Sequence, residues 1–396
     1  MSNASARRGA DGEQGTILIW ALLIAMLTSG MVISHTTYLA AMRGERDARY
    51  AKTTLAGTFA RSGVTETISW FQRQSQQPVL AFGPRYEPAA SPPLVETIDP
   101  AVGLVREFEI HGNLWGRYEV RTADALDISS QRGAEHAGSV WQLGVRSYVY
   151  RRADSSVPFD QAPNRLVATE AMVTEIRSGR FNPPAPSPIC VDDPSKLHLG
   201  WRATVDGGGG PAFAYRDPNV VTDLVSPVPS IHTDAAVNGP SVPMVTYDAE
   251  AEAVFSMDLD EIRAHADIVL TRETASLASD DGVIRLQDSL VYVPRDLVHL
   301  GSLVVENCVV VVDGDVFLMQ VTPTELSSFT GILYATGDVR LVTSQTFTGA
   351  LISRGDVHIG ERLPVTVRHD PQVIEDMRIF LNKYRERRDR TPAHGK

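Results

Sequence analysis

Three aspartates set the first chemical question. Asp315, Asp338 and Asp356 each follow a glycine (Gly314, Gly337, Gly355) and precede a valine. A row of carboxylates is a Ca²⁺-type ligand set. The Gly-Asp-Val context also suits a turn, in which an Asp side chain caps backbone N–H groups. No Lys or Arg recurs in register beside them, so turn capping is the reading taken and no metal ligand is assigned. His299 and His358 stand isolated in sequence, and no Ser-His-Asp or His-Glu-x-x-His string is present. The run Gly207–Gly210 lacks the Gly-Lys-Ser/Thr of a phosphate loop. Cys190 and Cys308 have no metal-ligand spacing and are compatible with one disulfide. These residues predict no catalytic site, no cofactor and no enzyme activity.

The aspartates lie in a repeat. Phe329-Thr330-Gly331-Ile332-Leu333-Tyr334-Ala335-Thr336-Gly337-Asp338-Val339 recurs downstream, in register, as Phe347-Thr348-Gly349-Ala350-Leu351-Ile352-Ser353-Arg354-Gly355-Asp356-Val357. Gly314-Asp315-Val316 is an earlier copy of its end. Such a period means one unit stacked on the next. Short strands punctuated by Gly-Asp predict a parallel β-helix, with Val and Leu stacked inside; a small antiparallel sandwich is the alternative. Asp370-Pro371 opens a last amphipathic helix, with Val373, Ile374, Met377, Ile379 and Phe380 apolar, expected to cap the stack. The basic stretch from Lys383 to Arg390 reads as a solvated helix end.

Upstream, Leu104–Ile110 and Arg117–Thr122 alternate around Gly112-Asn113, a hairpin signal, and Val140–Arg151 and Arg165–Ile176 continue the pattern. This predicts an antiparallel sheet laid against a helix, with Leu55, Phe59, Ile68 and Phe71 as contacts. Residues 178–250 read as irregular, followed by a helix from Asp258 to Ala275.

The run from Thr16 to Met42 contains no Asp, Glu, Lys or Arg. As a helix it is about 40 Å long, enough to span a bilayer. It continues into a charged amphipathic stretch to about Gln77. The segment predicts a transmembrane anchor, with the C-terminal bulk outside, although Arg43, Arg46, Arg49 and Lys52 after it outnumber Arg7 and Arg8 before it. A signal peptide cut after Ala41 is the alternative. The net charge of −11 argues against nucleic-acid binding.

Read together, Arg7-Arg8-Gly9-Ala10-Asp11-Gly12-Glu13-Gln14-Gly15 and Thr16-Ile17-Leu18-Ile19-Trp20 resemble the N-terminus of type IV pilin-like proteins. The small-residue helix Thr53–Glu66, the Gly-Asp repeat and the Asp-Pro helix make the resemblance closest to PilX-type minor pilins. The resemblance implies cleavage by a prepilin peptidase between Gly15 and Thr16, and packing with other pilin-like subunits through the helix. It also implies residence in the bacterial inner membrane as a single-pass protein, with the C-terminal region periplasmic or in a surface filament. Trp20 stands where major pilins carry Glu, which argues for a minor subunit. The implied function is a structural part in type IV pilus assembly. A type II secretion pseudopilin, or a membrane-tethered β-helix adhesin or carbohydrate-binding protein, is the alternative.

The expected fold class is thus α+β: a long N-terminal transmembrane helix, an antiparallel β-rich middle, and a C-terminal parallel β-helix-like repeat with a capping helix. The expected divisions are a leader (1–15), the transmembrane and extended helix (16–77), a β-rich pilin-like domain (78–180), an irregular connection with a helix (181–275), the repeat (276–368), and the C-terminal helix and tail (369–396).

Overall fold

A computed structural model describes residues 26, 28, 31, 34, 35, 38, 42, 50–84, 103–134, 139–217, 229–244, 247–270, 283–319 and 327–388. Among these no helix is long and apolar enough to cross a membrane. The described residues are mostly β, their strands gathered in three sheets. The α+β class with a transmembrane helix is therefore corrected, and with it the single-pass inner-membrane location. The one long helix among the described residues, α1 (50–73), carries Lys52, Arg61, Glu66 and Arg73 and buries only one face, so it is too polar to span a bilayer. Of the run from Thr16 to Met42, only Met26, Thr28, Met31, Ser34, His35, Tyr38 and Met42 are described, each helical and exposed. Gly15, Thr16, Trp20 and the expected leader lie outside the described residues.

Strands β1 (Leu104–His111), β2 (Leu114–Asp127), β3 (Ser139–Arg151) and β4 (Arg165–Ser178) are sequential neighbours in one sheet, β1 and β2 joined at Gly112-Asn113. Gly112 has φ +59, the left-handed backbone that such a tight hairpin requires. The chain divides into two compact units: residues 1–63, 105–119 and 145–172, and residues 64–104, 120–144 and 173–396. This differs from the expected division, since residues 78–180 are shared between the two.

In the first unit the helix lays Ala56, Phe59, Ala60 and Gly63 on the sheet. Phe59 meets Phe108 edge-on at 4.7 Å. Gly116 leaves the room, because a Cβ there would lie 2.5 Å from the Phe59 ring. Ser147 Oγ donates to the Ala56 carbonyl at 2.7 Å. Glu107 gathers Tyr150, Arg117 and Arg152 around it.

The second unit is dominated by a three-sided parallel β-helix. Its strands are β5 (Ile189–Val191), β6 (Leu197–Leu199), β7 (Ala203–Asp206), β8 (Phe213–Arg216), β9 (Ser230–Ile231), β10 (Ala236–Asn238), β11 (Ser241–Met244), β12 (Ile268–Val269), β13 (Ile284–Gln287), β14 (Leu290–Val293), β15 (Leu297–Leu300), β16 (Leu303–Val312), β17 (Val316–Met319), β18 (Ser327–Ala335), β19 (Val339–Val342), β20 (Gln345–Ser353), β21 (Val357–Ile359) and β22 (Val365–Arg368). Every pairing among these strands in the described residues is parallel. The sequence repeat is one coil: Phe329 pairs with Phe347 and Gly331 with Gly349. The two phenyl rings stack at 4.4 Å and 10°. At the corner that bends β18 and β20 from one side to the next, Gly331 and Gly349 have φ +139 and +135.

The segment expected to be irregular behaves otherwise. Strands β5, β6 and β7 stack directly on β20, β21 and β22, so residues 189–206 form the coil that follows the last repeat. The expected helix Asp258–Ala275 is shorter. It comprises α3 (Leu259–His265), capped by Asp258 and Glu261 in a capping box, and gives way to β12. A shorter helix, α2 (Ala251–Phe255), precedes it.

The final helix α4 (Pro371–Leu381) begins where Asp370 accepts from Gln372 N at 2.9 Å. It does not cap an end of the stack. It lies along one wall, where outward positions Val309, Val311, Ile332, Tyr334, Ala350 and Ile352 are apolar. That wall would be left in water without cover, and Ile374, Met377 and Leu381 supply the cover. The chain then adds β23 (Arg385–Glu386) antiparallel to β4. Tyr384 joins Phe71, Phe82, Trp70 and Trp141 in an aromatic cluster. The Tyr384 hydroxyl accepts from Val79 N at 2.9 Å and bonds Ser139 Oγ.

Candidate functional site

Two surfaces carry the sequence-derived residues. The first, in unit one, is the face of α1 turned away from the sheet. Thr54, Thr58 and Ser62 recur there one helical turn apart, all exposed. Their hydroxyls donate to the carbonyls of Tyr50, Thr54 and Thr58 at 3.0, 3.0 and 3.1 Å. Hydroxyls at this spacing bond back to the preceding turn. Gly57 lies nearby with nothing within 4 Å of where a Cβ would be. The result is a low-relief face whose side-chain donors are satisfied within the helix.

The second surface is the third wall of the β-helix, in unit two. The Gly-Asp turns form a ladder along its edge. Asp296 Oδ1 accepts from Asp315 N at 2.9 Å, Asp315 Oδ1 from Asp338 N at 2.8 Å, and Asp338 Oδ1 from Asp356 N at 2.8 Å. Each carboxylate thus caps the backbone of the next coil, not its own turn. Gly337 and Gly355 allow the close approach, since a Cβ at either would fall within 2.5 Å of the preceding coil. The ladder stops at Asp356. The next coil has Lys196 before its strand in place of Gly-Asp, and Lys196 Nζ donates to the Arg354 carbonyl. The Asp356 carboxylate accepts no hydrogen bond among the described residues.

On the outward side of this wall, Arg340, His358, His198 and Ser230 form one column across successive coils. His358 and His198 stack, with ring centroids 4.4 Å apart and planes 17° from parallel. His358 Nδ1 lies 2.8 Å from Glu361 Oε1. Ligand atoms of His198, Asp356 and His358 all lie within 4.8 Å of one another. His358 looks isolated in sequence because its neighbour His198 lies in a distant part of the chain and carries no repeat signature. Only the pairing of β21 with β6 reveals it.

The remaining sequence candidates are placed as follows. Cys190 and Cys308 are both free and buried. They do not form the expected disulfide. Cys308 faces the interior and Cys190 the covered wall. They also sit three coils apart, about 14 Å at strand spacing, whereas a disulfide needs Cα atoms within about 7 Å. Burial pushes both thiols up to about 11. His299 points inward on the end strand β15, its Nε2 3.1 Å from the Ser302 carbonyl. It lines a recess with Leu270, Ile284, Leu297 and Leu318. Gly314 has φ +158 and abuts Asp296 at the start of the ladder.

Comparison of the chain with protein-family models, with curated proteins and with solved structures gave no match.

Proposed function

We propose that the protein is a structural, non-enzymatic subunit acting in type IV pilus assembly, of the PilX-type minor pilin kind, which meets other pilin-like subunits through α1 and carries the β-helix as its bulk. The observation that carries this reading is the face Thr54–Gly57–Thr58–Ser62. Small side chains let another helix approach closely. Hydroxyls already bonded to their own helix leave no donor stranded when water is expelled, so burying them avoids the usual penalty of about 1–3 kcal/mol per orphaned group. The β-helix interior is filled by stacked apolar side chains, which suits a rigid body. Processing by a prepilin peptidase between Gly15 and Thr16 belongs to the same reading.

A photo-crosslinking residue at position 58, placed in the native host, tests it. Adducts with pilin-like chains are expected from position 58 and not from position 362 on the β-helix. Deletion of the gene should reduce surface filaments, and a Thr58→Lys chain should fail to restore them. Unchanged filament numbers after deletion, with no pilin-like adduct at position 58, would refute the proposal.

A further inference from the structure

We propose that His198, Asp356 and His358 bind a first-row transition-metal dication of the zinc class on the third wall of the β-helix. Two imidazoles and one carboxylate form a recurrent protein ligand set for such ions, and three protein ligands leave a fourth position open. Three independent features of the wall converge on this site.

The first is the end of the aspartate ladder. Asp296, Asp315 and Asp338 each spend a carboxylate oxygen on the next coil's backbone, and Asp356 does not. Its carboxylate is presented, unbonded, beside two imidazoles. The second is the tautomer of His358. An ionised carboxylate only accepts, so Glu361 Oε1 takes the proton of Nδ1 at 2.8 Å and leaves the lone pair on Nε2. A carboxylate holding the far nitrogen of a ligating histidine is the usual outer-shell partner in metal sites. The third is position. His358 and His198 are in register on paired strands. Their flanking residues Val357, Ile359, Leu197 and Leu199 are locked in the core. The ring of His198 makes no hydrogen bond among the described residues, so its nitrogens are free to ligate.

Ligand atoms bound to one zinc ion lie roughly 3.3–3.5 Å apart, given bonds of about 2.0–2.2 Å. Closing from 4.8 Å requires the two rings to turn about Cβ–Cγ out of their parallel stack. Both side chains are half-buried and face outward, so this movement disturbs nothing in the core. Arg340 flanks His358 from the neighbouring coil. A cation held by charge alone, such as Ca²⁺ or Mg²⁺, therefore gains little here, and the imidazoles set the preference.

Zinc titration of the full chain by calorimetry at neutral pH tests the site. One ion per chain is expected. His198→Ala and His358→Ala should each lower affinity at least 100-fold and Asp356→Asn at least tenfold. Glu361→Gln should weaken it about 10–100-fold with the stoichiometry kept. His111→Ala, far along the sequence at the exposed end of β1, should change nothing. Zinc should raise the wild-type melting temperature and leave that of His198→Ala unmoved. All four site residues are on the outer side of the wall, so the metal-free melting temperatures of the variants should match the wild type and exclude misfolding as the cause. No zinc binding by the wild type, or unchanged affinity in both histidine variants, would overturn the proposal.

Discussion

Gly349→Ala adds one methyl group at the corner of β20. The position has φ +135, a region that L side chains rarely adopt, and forcing one there costs about 1–3 kcal/mol. The new Cβ would also lie 1.9 Å from the Gly331 carbonyl oxygen and 2.9 Å from its carbon. Close carbon–oxygen contacts normally begin near ~3.3 Å. The two coils must therefore part by more than an ångström at a buried ladder. Losing one ladder hydrogen bond there leaves groups unsatisfied at a cost of about 1–3 kcal/mol. The sum, about 2–6 kcal/mol, is a large share of the ~5–15 kcal/mol that holds a typical domain folded. Gly83→Ala, in the same unit, is the control: it has ordinary φ and nothing within 4 Å, and should stay within about 0.5 kcal/mol of wild type. Urea unfolding followed by far-ultraviolet circular dichroism reads both. At about 2 kcal/mol per molar urea, Gly349→Ala should lower the midpoint by roughly 1–3 M. Midpoints for the two variants that agree would refute the claim that this corner admits only glycine.

Three further outcomes follow from buried groups. Desolvation lowers His265 to about 4; its Nδ1–H donates to the Glu261 carbonyl at 2.8 Å, and Nε2 is buried without a partner. The folded value lies below the unfolded value of about 6.5, so this contribution is complete above that pH and is lost as pH falls toward 4. The loss is about 3 kcal/mol at ~1.36 kcal/mol per unit, and His265→Gln should flatten that part of a stability–pH curve. Cys190 and Cys308, buried with raised values, should resist a maleimide at neutral pH in the native chain and react fully in urea; rapid native labelling of either would contradict their placement. Tyr384→Phe strands Val79 N–H and removes the partner of Ser139, and should cost about 2–3 kcal/mol in the same urea assay.

What could be read from sequence was what the fold must repeat. Phe329 and Phe347 occupy equivalent places in successive coils, so the same residue recurs at the coil length. Gly331 and Gly349 recur because a corner excludes Cβ, and the aspartates because each must reach the next coil. The hairpin at Gly112-Asn113 was legible for a similar local reason. Where the constraint is not local, the sequence is silent. Residues 189–244 enter the β-helix with very short strands and no Gly-Asp turn, so they carry no period to find. The earlier coil of β16 turns its corner with Asn307 at φ 53 and an irregular register, which hides it from a search for glycine. The amphipathicity of α4 says that the helix covers something, not whether that is an end or a wall. The run from Thr16 to Met42 is apolar in composition, yet among the described residues no membrane-spanning helix is present.

The order of coils in space differs from their order along the chain, and this bears on how the protein is made. Ile189 pairs with Leu351, far downstream in the chain. During synthesis the 189–206 segment emerges with only β8, β9 and β10 to stack on, and its other edge stays open until the ribosome has delivered β20 to β22. A solenoid grows by nearest-neighbour addition, so here the short strands at 189–244 must wait, with one edge open, for a late template. Closing so long a loop slows folding and lengthens the interval in which those edges are exposed to aggregation. A chain ending before β20 would therefore lose more than its missing residues: the strands encoded at 189–244 would pair only with one another and have no stack to join.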